Sequence, residues 1–276
     1  MINYNGSLFE DNDKVFNGHN RAFRFGDGLF ESMRVVNGKI PFFNHHYERL
    51  LRGMKALKFN VLPYFNIHYL RNEVSKVLEN APNISRVRLA VWREEGGNYT
   101  PTTNNFDFLI ETSILPDKNY IFNDLGLTTG VYKDFKLRYT PISSFKTSNS
   151  LPYVMAGLFA KENNFEDVLM LNTEGYVAEG IASNIFILKD NQLLTPTLSS
   201  GCVGGVMRSI IMEIAQEYSI PILESNLSIE MVKEADEVFY TNAVQGIRWV
   251  DTFEDKSYPY DFSFKMYEKL LQKVKI

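Results

Sequence analysis

Apolar and polar positions along the chain alternate with two different periods. Period-two alternation at 86–92 and 106–110 predicts two strands, and the acidic, glycine-bearing stretch 94–98 predicts a turn or loop between them. Apolar residues three and four positions apart predict a helix near 47–57, with Asn44 as its N-cap, and a second helix near 67–77. The first part of the chain is therefore expected to mix helices and strands.

Strand patterns dominate the rest of the chain. The pairs Glu174-Gly175 and Asp190-Asn191 are typical of hairpin corners. The polar, proline-bearing stretch 115–119 predicts a linker, which divides the chain into domains 1–116 and 117–276. The predicted fold is α+β, with two domains. The pattern predicts strands at 127–132, 168–171, 176–179, 184–188 and 192–195, and helices at 150–163, 206–218, 229–233 and 262–275.

Composition excludes several classes of protein. Of the 276 residues, 45% are hydrophobic and 22% charged, as in an ordinary globular protein. The net charge of −4 disfavours binding to nucleic acid, and no apolar run is long enough for a transmembrane helix. The chain does not open on a basic segment followed by an apolar one, so a secretory signal is not expected. Cys202 is the only cysteine, which excludes disulfides within the chain. We therefore expect a cytoplasmic enzyme or binding protein without a nucleic-acid or membrane partner.

Two side chains could take part directly in chemistry. Lys146 lies among small hydroxyl residues just before a predicted helix, and a lysine becomes a nucleophile when its surroundings lower its pKa. Glu179 ends a predicted strand, where a carboxylate can pair with a protonated ring nitrogen. Taken alone, each is more often a solvated surface residue.

Two further features suit an anion. The glycine-rich stretch 201–205 runs into a predicted helix, whose first N–H groups can bind phosphate, but it lacks the Gly-Lys-Ser/Thr ending of nucleotide-binding loops. Arg49 lies in a first helical turn, where a bound phosphate would offset the unfavourable helix dipole. An ordinary helix entry and a solvated arginine are the alternatives. His45 and His46 are adjacent and do not share a helix face, so a metal site is not expected.

Together, and in this order, the motifs resemble the class IV aminotransferases, the fold-type IV pyridoxal phosphate (PLP) enzymes. The resemblance implies a homodimer whose chains have a small N-terminal α/β domain and a larger, strand-rich C-terminal domain, as in D-amino acid aminotransferases. The motifs are Phe25-Gly26-Asp27-Gly28-Leu29-Phe30-Glu31, His46-Tyr47-Glu48-Arg49-Leu50, Lys146, Glu179-Gly180, Ser183-Asn184-Ile185-Phe186, Leu198-Ser199-Ser200-Gly201 and Gly205-Val206-Met207-Arg208.

The resemblance also implies the site residues. Lys146 would form the Schiff base with PLP, Glu179 would hold the pyridine nitrogen, and Arg49 would contact the phosphate. The remaining cofactor-binding residues would be Ser183, Asn184, Val206, Met207, Thr241 and Asn242, and the substrate would meet Phe30, Tyr99, Asn242 and Ala243.

Within this family, three features of the sequence narrow the choice of reaction. Branched-chain aminotransferases carry a tyrosine five residues after the lysine, where this chain has Leu151. D-amino acid aminotransferases hold a carboxylate with an arginine and a histidine in the loop that is 93–100 here, and this loop has two acids and no histidine. Its Arg-x-x-Gly-Gly pattern with a nearby tyrosine resembles the 4-amino-4-deoxychorismate lyases, as does Val206-Met207-Arg208 followed by Asn242-Ala243. Asn149 also resembles the lyases, but the D-amino acid aminotransferases share it.

We therefore expect a lyase that forms 4-aminobenzoate and pyruvate for folate synthesis from a small-molecule amine. The alternative is an aminotransferase that acts on branched-chain or D-amino acids with a 2-oxo acid acceptor. A non-catalytic ligand-binding relative is a third possibility, which the joint presence of Lys146, Glu179 and Arg49 disfavours. Glu31 and the stretch 245–248, which includes Arg248, depart from the lyase pattern.

Overall fold

The computed structural model describes residues 1–79, 81, 85–117 and 119–274. Lys118 of the expected linker and Lys275, the expected end of the last helix, lie outside the described residues. The chain forms two compact units: the first comprises Met1–Asn119 and Phe145–Asn149, and the second comprises Tyr120–Ser144 and Ser150–Ile276. The domain division at residue 117 stays a prediction.

The first unit is built on an antiparallel sheet with the strand order β2-β1-β5-β4-β3. Its helices contribute apolar side chains such as Leu50, Met54 and Leu70 to a core that includes Met33 and Val87 of the sheet. Its elements are β1 (Ile2–Tyr4), β2 (Ser7–Phe9), α1 (Arg21–Phe25), β3 (Gly28–Val35), α2 (Phe43–Ala56), α3 (Ile67–Leu78), β4 (Ser85–Arg93) and β5 (Phe106–Ile114).

The second unit is built on a mixed sheet with the order β11-β10-β9-β12-β13-β6-β7-β8, in which β14 also pairs with β13. Its strands are β6 (Leu127–Leu137), β7 (Asp167–Asn172), β8 (Val177–Glu179), β9 (Asn184–Lys189), β10 (Gln192–Pro196), β11 (Ile222–Ser225), β12 (Glu237–Asn242), β13 (Gly246–Phe253) and β14 (Lys256–Ser257). Its α-helices are α4 (Leu151–Glu162), α5 (Val206–Glu217), α6 (Ile229–Lys233) and α7 (Asp261–Val274).

The structure confirms the predicted hairpin corner between β9 and β10, but the predicted cap of α2 is wrong. Asp190 and Asn191 both have positive φ between β9 and β10, as a two-residue hairpin of the predicted kind requires. The expected N-cap Asn44 is wrong, because α2 begins at Phe43 after Phe42 in a left-handed conformation and without a side-chain cap. In the part of the chain that the structure describes, no helix is both long and apolar enough to span a membrane.

Candidate functional site

Lys146 lies on a short segment that pairs with β3 of the first unit. The Phe30 N–H donates to the Lys146 carbonyl at 2.9 Å, and the Ser148 N–H donates to the Gly28 carbonyl at the same distance. Phe145 packs against the core of this unit, and the Lys146 Nζ lies 4.9 Å from the centre of the Phe30 ring. The half-buried lysine is therefore held by its backbone, with its amine beside an aromatic face.

Three polar side chains are buried together beneath β3. Glu31 points inward from the strand, while His46 and Arg49 lie one turn apart on the same face of α2. The Arg49 Nε donates to Glu31 Oε1 at 2.8 Å, and its Nη2 donates to Oε2 at 2.5 Å. The His46 Nδ1 lies 2.7 Å from the same Oε2. The structure thus fixes the Arg49 guanidinium on a buried carboxylate, and its contact with phosphate stays a prediction.

The charges of this cluster follow from its surroundings. Burial raises the pKa of the Glu31 carboxyl, but the charge of Arg49 and the hydrogen bonds from His46 and Arg49 outweigh burial and lower that pKa to about 2. Burial also lowers the pKa of His46. At neutral pH the cluster is an ion pair between Glu31 and Arg49, to which the neutral His46 ring adds an Nδ1–H donor.

The two predicted substrate residues of the first unit differ in their surroundings. The half-buried Phe30 ring contacts the Arg88 guanidinium at 4.8 Å as well as Lys146. Tyr99 is 91% exposed, and its ring lies 5.6 Å from that of Phe25. A cavity of about 270 Å³ in this unit reaches Thr147, the neighbour of Lys146, and its lining includes Arg21, Asp27, Arg93, Tyr99 and Pro101.

The loop after β4 is tied down by two buried arginines. Asp27 Oδ2 accepts from the Arg21 Nε at 2.9 Å and from the Arg93 Nε at 3.0 Å. The other two nitrogens of Arg93 donate to Asn104 Oδ1 at 2.6 Å and to the Leu57 carbonyl at 2.8 Å. The Arg21 Nη1 donates at 2.8 Å to the carbonyls of both Gly96 and Asn98 in the loop. Every guanidinium nitrogen of Arg93 is therefore used within the protein.

Glu179 is buried at the end of β8 in the second unit, with 3% of its surface exposed. The Tyr153 hydroxyl donates to Glu179 Oε1 at 2.7 Å, and the Val203 N–H donates to Oε2 at 3.0 Å. Hydrogen bonds to a carboxylate favour its ionised form. An anionic Glu179 is the form that can hold a protonated ring nitrogen.

The start of α5 has the donors that a phosphate group needs. Gly205, its N-cap, provides no side-chain cap, so the first N–H groups, including those of Val206 and Met207, have no capping side chain. Asn184 Nδ2 donates to the Val203 carbonyl at 2.8 Å, and Thr241 pairs with Asn184 across the strands. Among the described residues, the Thr241 hydroxyl is fully buried without a hydrogen-bond partner.

Asn184 also closes tightly on the same turn. A Cβ added at Gly205 would lie 1.9 Å from Asn184 Oδ1, so any larger residue would have to displace the Asn184 amide. Backbone donors at a helix start together with an orphaned hydroxyl form a set that suits an anion. These second-unit residues therefore fit the phosphate of PLP.

Ser183, Asn242 and Ala243 lie near the end of β12. Asn242 Nδ2 donates to Ser183 Oγ at 3.1 Å, and Asn242 Oδ1 accepts from the N–H groups of Val244 and Gln245 at 3.0 and 2.8 Å. The Ala243 carbonyl accepts from the Tyr120 hydroxyl at 2.8 Å. The structure thus brings Asn242 and Ser183 together, while their contacts with cofactor or substrate stay predictions.

Asp167 supports the turn that follows Glu179. Its Oδ1 accepts from the N–H groups of Val168 at 2.9 Å and Ile181 at 2.8 Å. Within the turn, the Gly180 N–H donates to the Ser183 carbonyl at 2.7 Å. Burial raises the pKa of the Asp167 carboxyl to about 6, although both backbone donors and the charge of Arg248 oppose this rise.

Asp167 is expected to make the second unit less stable as the pH rises. A carboxyl whose pKa is about 6 in the folded protein and 3.8 by itself binds more protons in the folded state between these values. The free energy of unfolding therefore falls by up to about 3 kcal/mol as the pH rises from 4 to 6. Asp167→Asn removes this loss, and we expect it to gain stability over the wild type between pH 4.5 and 7.0 in urea unfolding. If the two proteins differ in free energy of unfolding by the same amount at every pH in this range, the raised pKa of Asp167 is contradicted.

Two residues that sequence reasoning missed are Tyr153 and Asp167. Each touches the Glu179 region through a single side-chain atom, and neither stands in a motif. Tyr153 follows Leu151, the position tested for a tyrosine, by two residues, so a wider search around that position could have found it.

Comparison with known proteins agrees with this geometry. The sequence profile described as amino-transferase class IV matches residues 28–253. The chain is 28% identical over 268 residues to the aminodeoxychorismate lyase of Bacillus subtilis strain 168, covering 94% of this chain and 88% of that protein. It is 26% identical over 242 residues to the D-alanine aminotransferase of Staphylococcus aureus strain N315, covering 86% and 83%.

A solved structure confirms the fold. The crystal structure of an aminotransferase from Brucella abortus bound to PLP is 20% identical and has a TM-score of 0.86, covering 100% of this chain and 99% of that one. The predicted α+β fold of fold type IV is thereby confirmed. Since the family profile spans most of the sequence, the chain belongs to the class IV aminotransferases, a family of PLP-dependent lyases and aminotransferases.

Proposed function

We propose that this protein is a PLP-dependent 4-amino-4-deoxychorismate lyase, which converts its substrate to 4-aminobenzoate and pyruvate in folate synthesis. The observation that carries the choice is the loop after β4. Because the three guanidinium nitrogens of Arg93 already donate to Asp27, Asn104 and Leu57, at most two of its five N–H groups are left for an amino-acid carboxylate.

The residues that would hold the cofactor follow from the contacts above. The N–H groups of Val206 and Met207 and the orphaned Thr241 hydroxyl would bind the phosphate, with Asn184 shaping the turn. Arg49, which Glu31 holds in the first unit, is the residue that the family resemblance assigns to the phosphate. Ser183 and Asn242 would complete the cofactor site.

The chemistry divides between the cofactor and the chain. When bound, PLP supplies an electron-withdrawing ring that stabilises negative charge on the amine-bearing carbon of the substrate. The Glu179 carboxylate holds the proton on the ring nitrogen. The Lys146 Nζ takes the proton from the amine-bearing carbon and later serves as an acid, a double role that needs a pKa near the working pH. Release of the enolpyruvyl group as pyruvate leaves the aromatic ring of 4-aminobenzoate.

The test compares two sets of substrates on the purified protein with added PLP. We expect 4-amino-4-deoxychorismate, with no 2-oxo acid acceptor added, to give equal amounts of 4-aminobenzoate, read by its fluorescence, and pyruvate. We expect D-alanine and L-leucine with 2-oxoglutarate to give no product. Amino-acid turnover without 4-aminobenzoate would instead establish the alternative, an aminotransferase.

Gly205→Ala is expected to weaken the binding of PLP at least about tenfold. The new methyl group would displace the Asn184 amide from the start of α5 and so disturb the proposed phosphate site. Fluorescence titration with PLP measures the change. Gly157→Ala is the control, because the nearest atom to its added Cβ is 3.9 Å away and alanine favours a helix. If the two variants bind PLP with equal affinity, the phosphate does not bind at this turn.

A homodimer in the cytoplasm completes the proposal. An exposed apolar stripe on α4, formed by Leu151, Val154, Met155 and Leu158, supports pairing with a second copy, since such stripes are usually covered. Light scattering coupled to size exclusion should give twice the mass of 31.8 kDa, and a monomer would refute the pairing. The single, buried Cys202 supports a reducing compartment.

A further inference from the structure

Tyr153 is placed firmly beside Glu179. It is the third residue of α4, and its N–H donates to the Ser150 carbonyl at 3.1 Å. Its ring packs against a buried cluster that includes Tyr132, Ala156 and Cys202. A ring held in this way has little freedom to move its hydroxyl, so the 2.7 Å hydrogen bond to Glu179 is a fixed feature of the second unit.

The position of Tyr153 on its helix explains why it reaches Glu179 and Leu151 does not. Two residues along an α-helix turn by about 200°, so the side chains of Leu151 and Tyr153 point in nearly opposite directions. Leu151 is 65% exposed, whereas Tyr153 is turned inward. A phenol at position 153 can therefore serve the buried carboxylate, and a side chain at position 151 faces solvent.

The hydrogen bond acts on the charge of Glu179. Burying an ionised carboxylate is costly unless donors replace the water that it loses. The donors to Glu179 include the Tyr153 hydroxyl and the Val203 N–H. Burial and the charge of Glu179 raise the pKa of Tyr153, so its hydroxyl keeps its proton and remains a donor.

We propose that Tyr153 is a positioning residue for Glu179, whose hydroxyl keeps the carboxylate ionised and oriented to hold the proton on the PLP ring nitrogen. This inference rests on the proposed cofactor site. Tyr153 acts through Glu179, and no contact between Tyr153 and the substrate is required.

The experiment reads the protonation of the ring nitrogen directly. PLP labelled with ¹⁵N in the ring is bound to the wild type and to Tyr153→Phe, Glu179→Gln and Tyr258→Phe, and the ¹⁵N chemical shift is recorded. Tyr258 is the matched control, because its buried hydroxyl donates to the Val232 carbonyl at 2.7 Å away from the proposed site. If the loss of any buried tyrosine hydroxyl were enough to change the ¹⁵N shift, both Tyr153→Phe and Tyr258→Phe would show the change.

We expect a protonated nitrogen in the wild type and Tyr258→Phe, and a shift toward the unprotonated nitrogen in Tyr153→Phe and Glu179→Gln. The Kd for PLP should rise about tenfold in Tyr153→Phe, as expected for a lost hydrogen bond to a charged group. Adding Tyr153→Phe to Glu179→Gln should change the Kd by less than twofold, since the two residues act as a unit.

A wild-type ¹⁵N shift in Tyr153→Phe, or additive effects in the double variant, would overturn the proposal. If Tyr153→Phe does not fold, 4-aminophenylalanine at position 153 decides, because it keeps the ring of tyrosine and its amine N–H takes the place of the hydroxyl donor. A protonated nitrogen in that variant supports the proposal and an unprotonated one contradicts it. Failure of the wild type to bind labelled PLP would refute the proposed function itself.

Discussion

Lys146→Ala is expected to lower turnover by up to about 10⁴-fold, whichever amine the enzyme accepts. The lysine amine is proposed both to remove and to return a proton at the amine-bearing carbon, and loss of a positioned acid–base group costs up to about this factor. No other lysine lies on the 145–149 segment that pairs with β3, so a neighbour there cannot replace it. The measurement is the rate of 4-aminobenzoate release at saturating PLP, with amino-acid turnover followed in parallel.

The control for this variant is Lys161→Ala, which removes an exposed lysine from α4 and should keep the wild-type rate. Borohydride treatment in the presence of PLP, followed by peptide mass mapping, should label the wild type at Lys146. Added methylamine should restore part of the activity of Lys146→Ala, because it supplies a free base. A rate within tenfold of the wild type, or a label on another lysine, would exclude Lys146 from the reaction.

The sequence predicted those features that depend on local backbone chemistry. The Asp190-Asn191 corner needs positive φ at both residues, which asparagine and aspartate tolerate, and the structure has it. The helix starting at Val206 after glycines was likewise predictable. The expected Asn44 cap failed because α2 is held by buried side chains such as Leu50 and Met54, so packing outweighed local capping.

Features that depend on distant contacts could not be predicted. The segment around Lys146 joins β3 through backbone hydrogen bonds to residues far away in sequence, and nothing in its own pattern indicates that pairing. The role of Glu31 was also open, since a glutamate on a strand is usually solvated. Only the tertiary structure places it on Arg49 and His46.

Glu31→Gln is expected to destabilise the first unit by about 3–5 kcal/mol at pH 7. The amide cannot balance the Arg49 charge, and a buried charge left without its partner is strongly destabilising. The matched control is Glu111→Gln, which breaks a half-exposed ion pair with Arg88 at 3.4 Å and should cost less than about 1 kcal/mol. Urea unfolding followed by Trp92 fluorescence in a Trp249→Phe background reports on the first unit alone, because these are the only two tryptophans.

The pH dependence separates the ion pair from simple packing at Glu31. The pKa of Glu31 is lowered to about 2 in the folded protein from an ordinary 4.5, so its stabilising effect is present above pH 4.5 and is lost as the pH falls toward 2. The gap in stability between the wild type and Glu31→Gln should therefore narrow in acid. A gap that stays constant from pH 7 to pH 3 would mean that the shape of the glutamate, and not its charge, holds Arg49 in place.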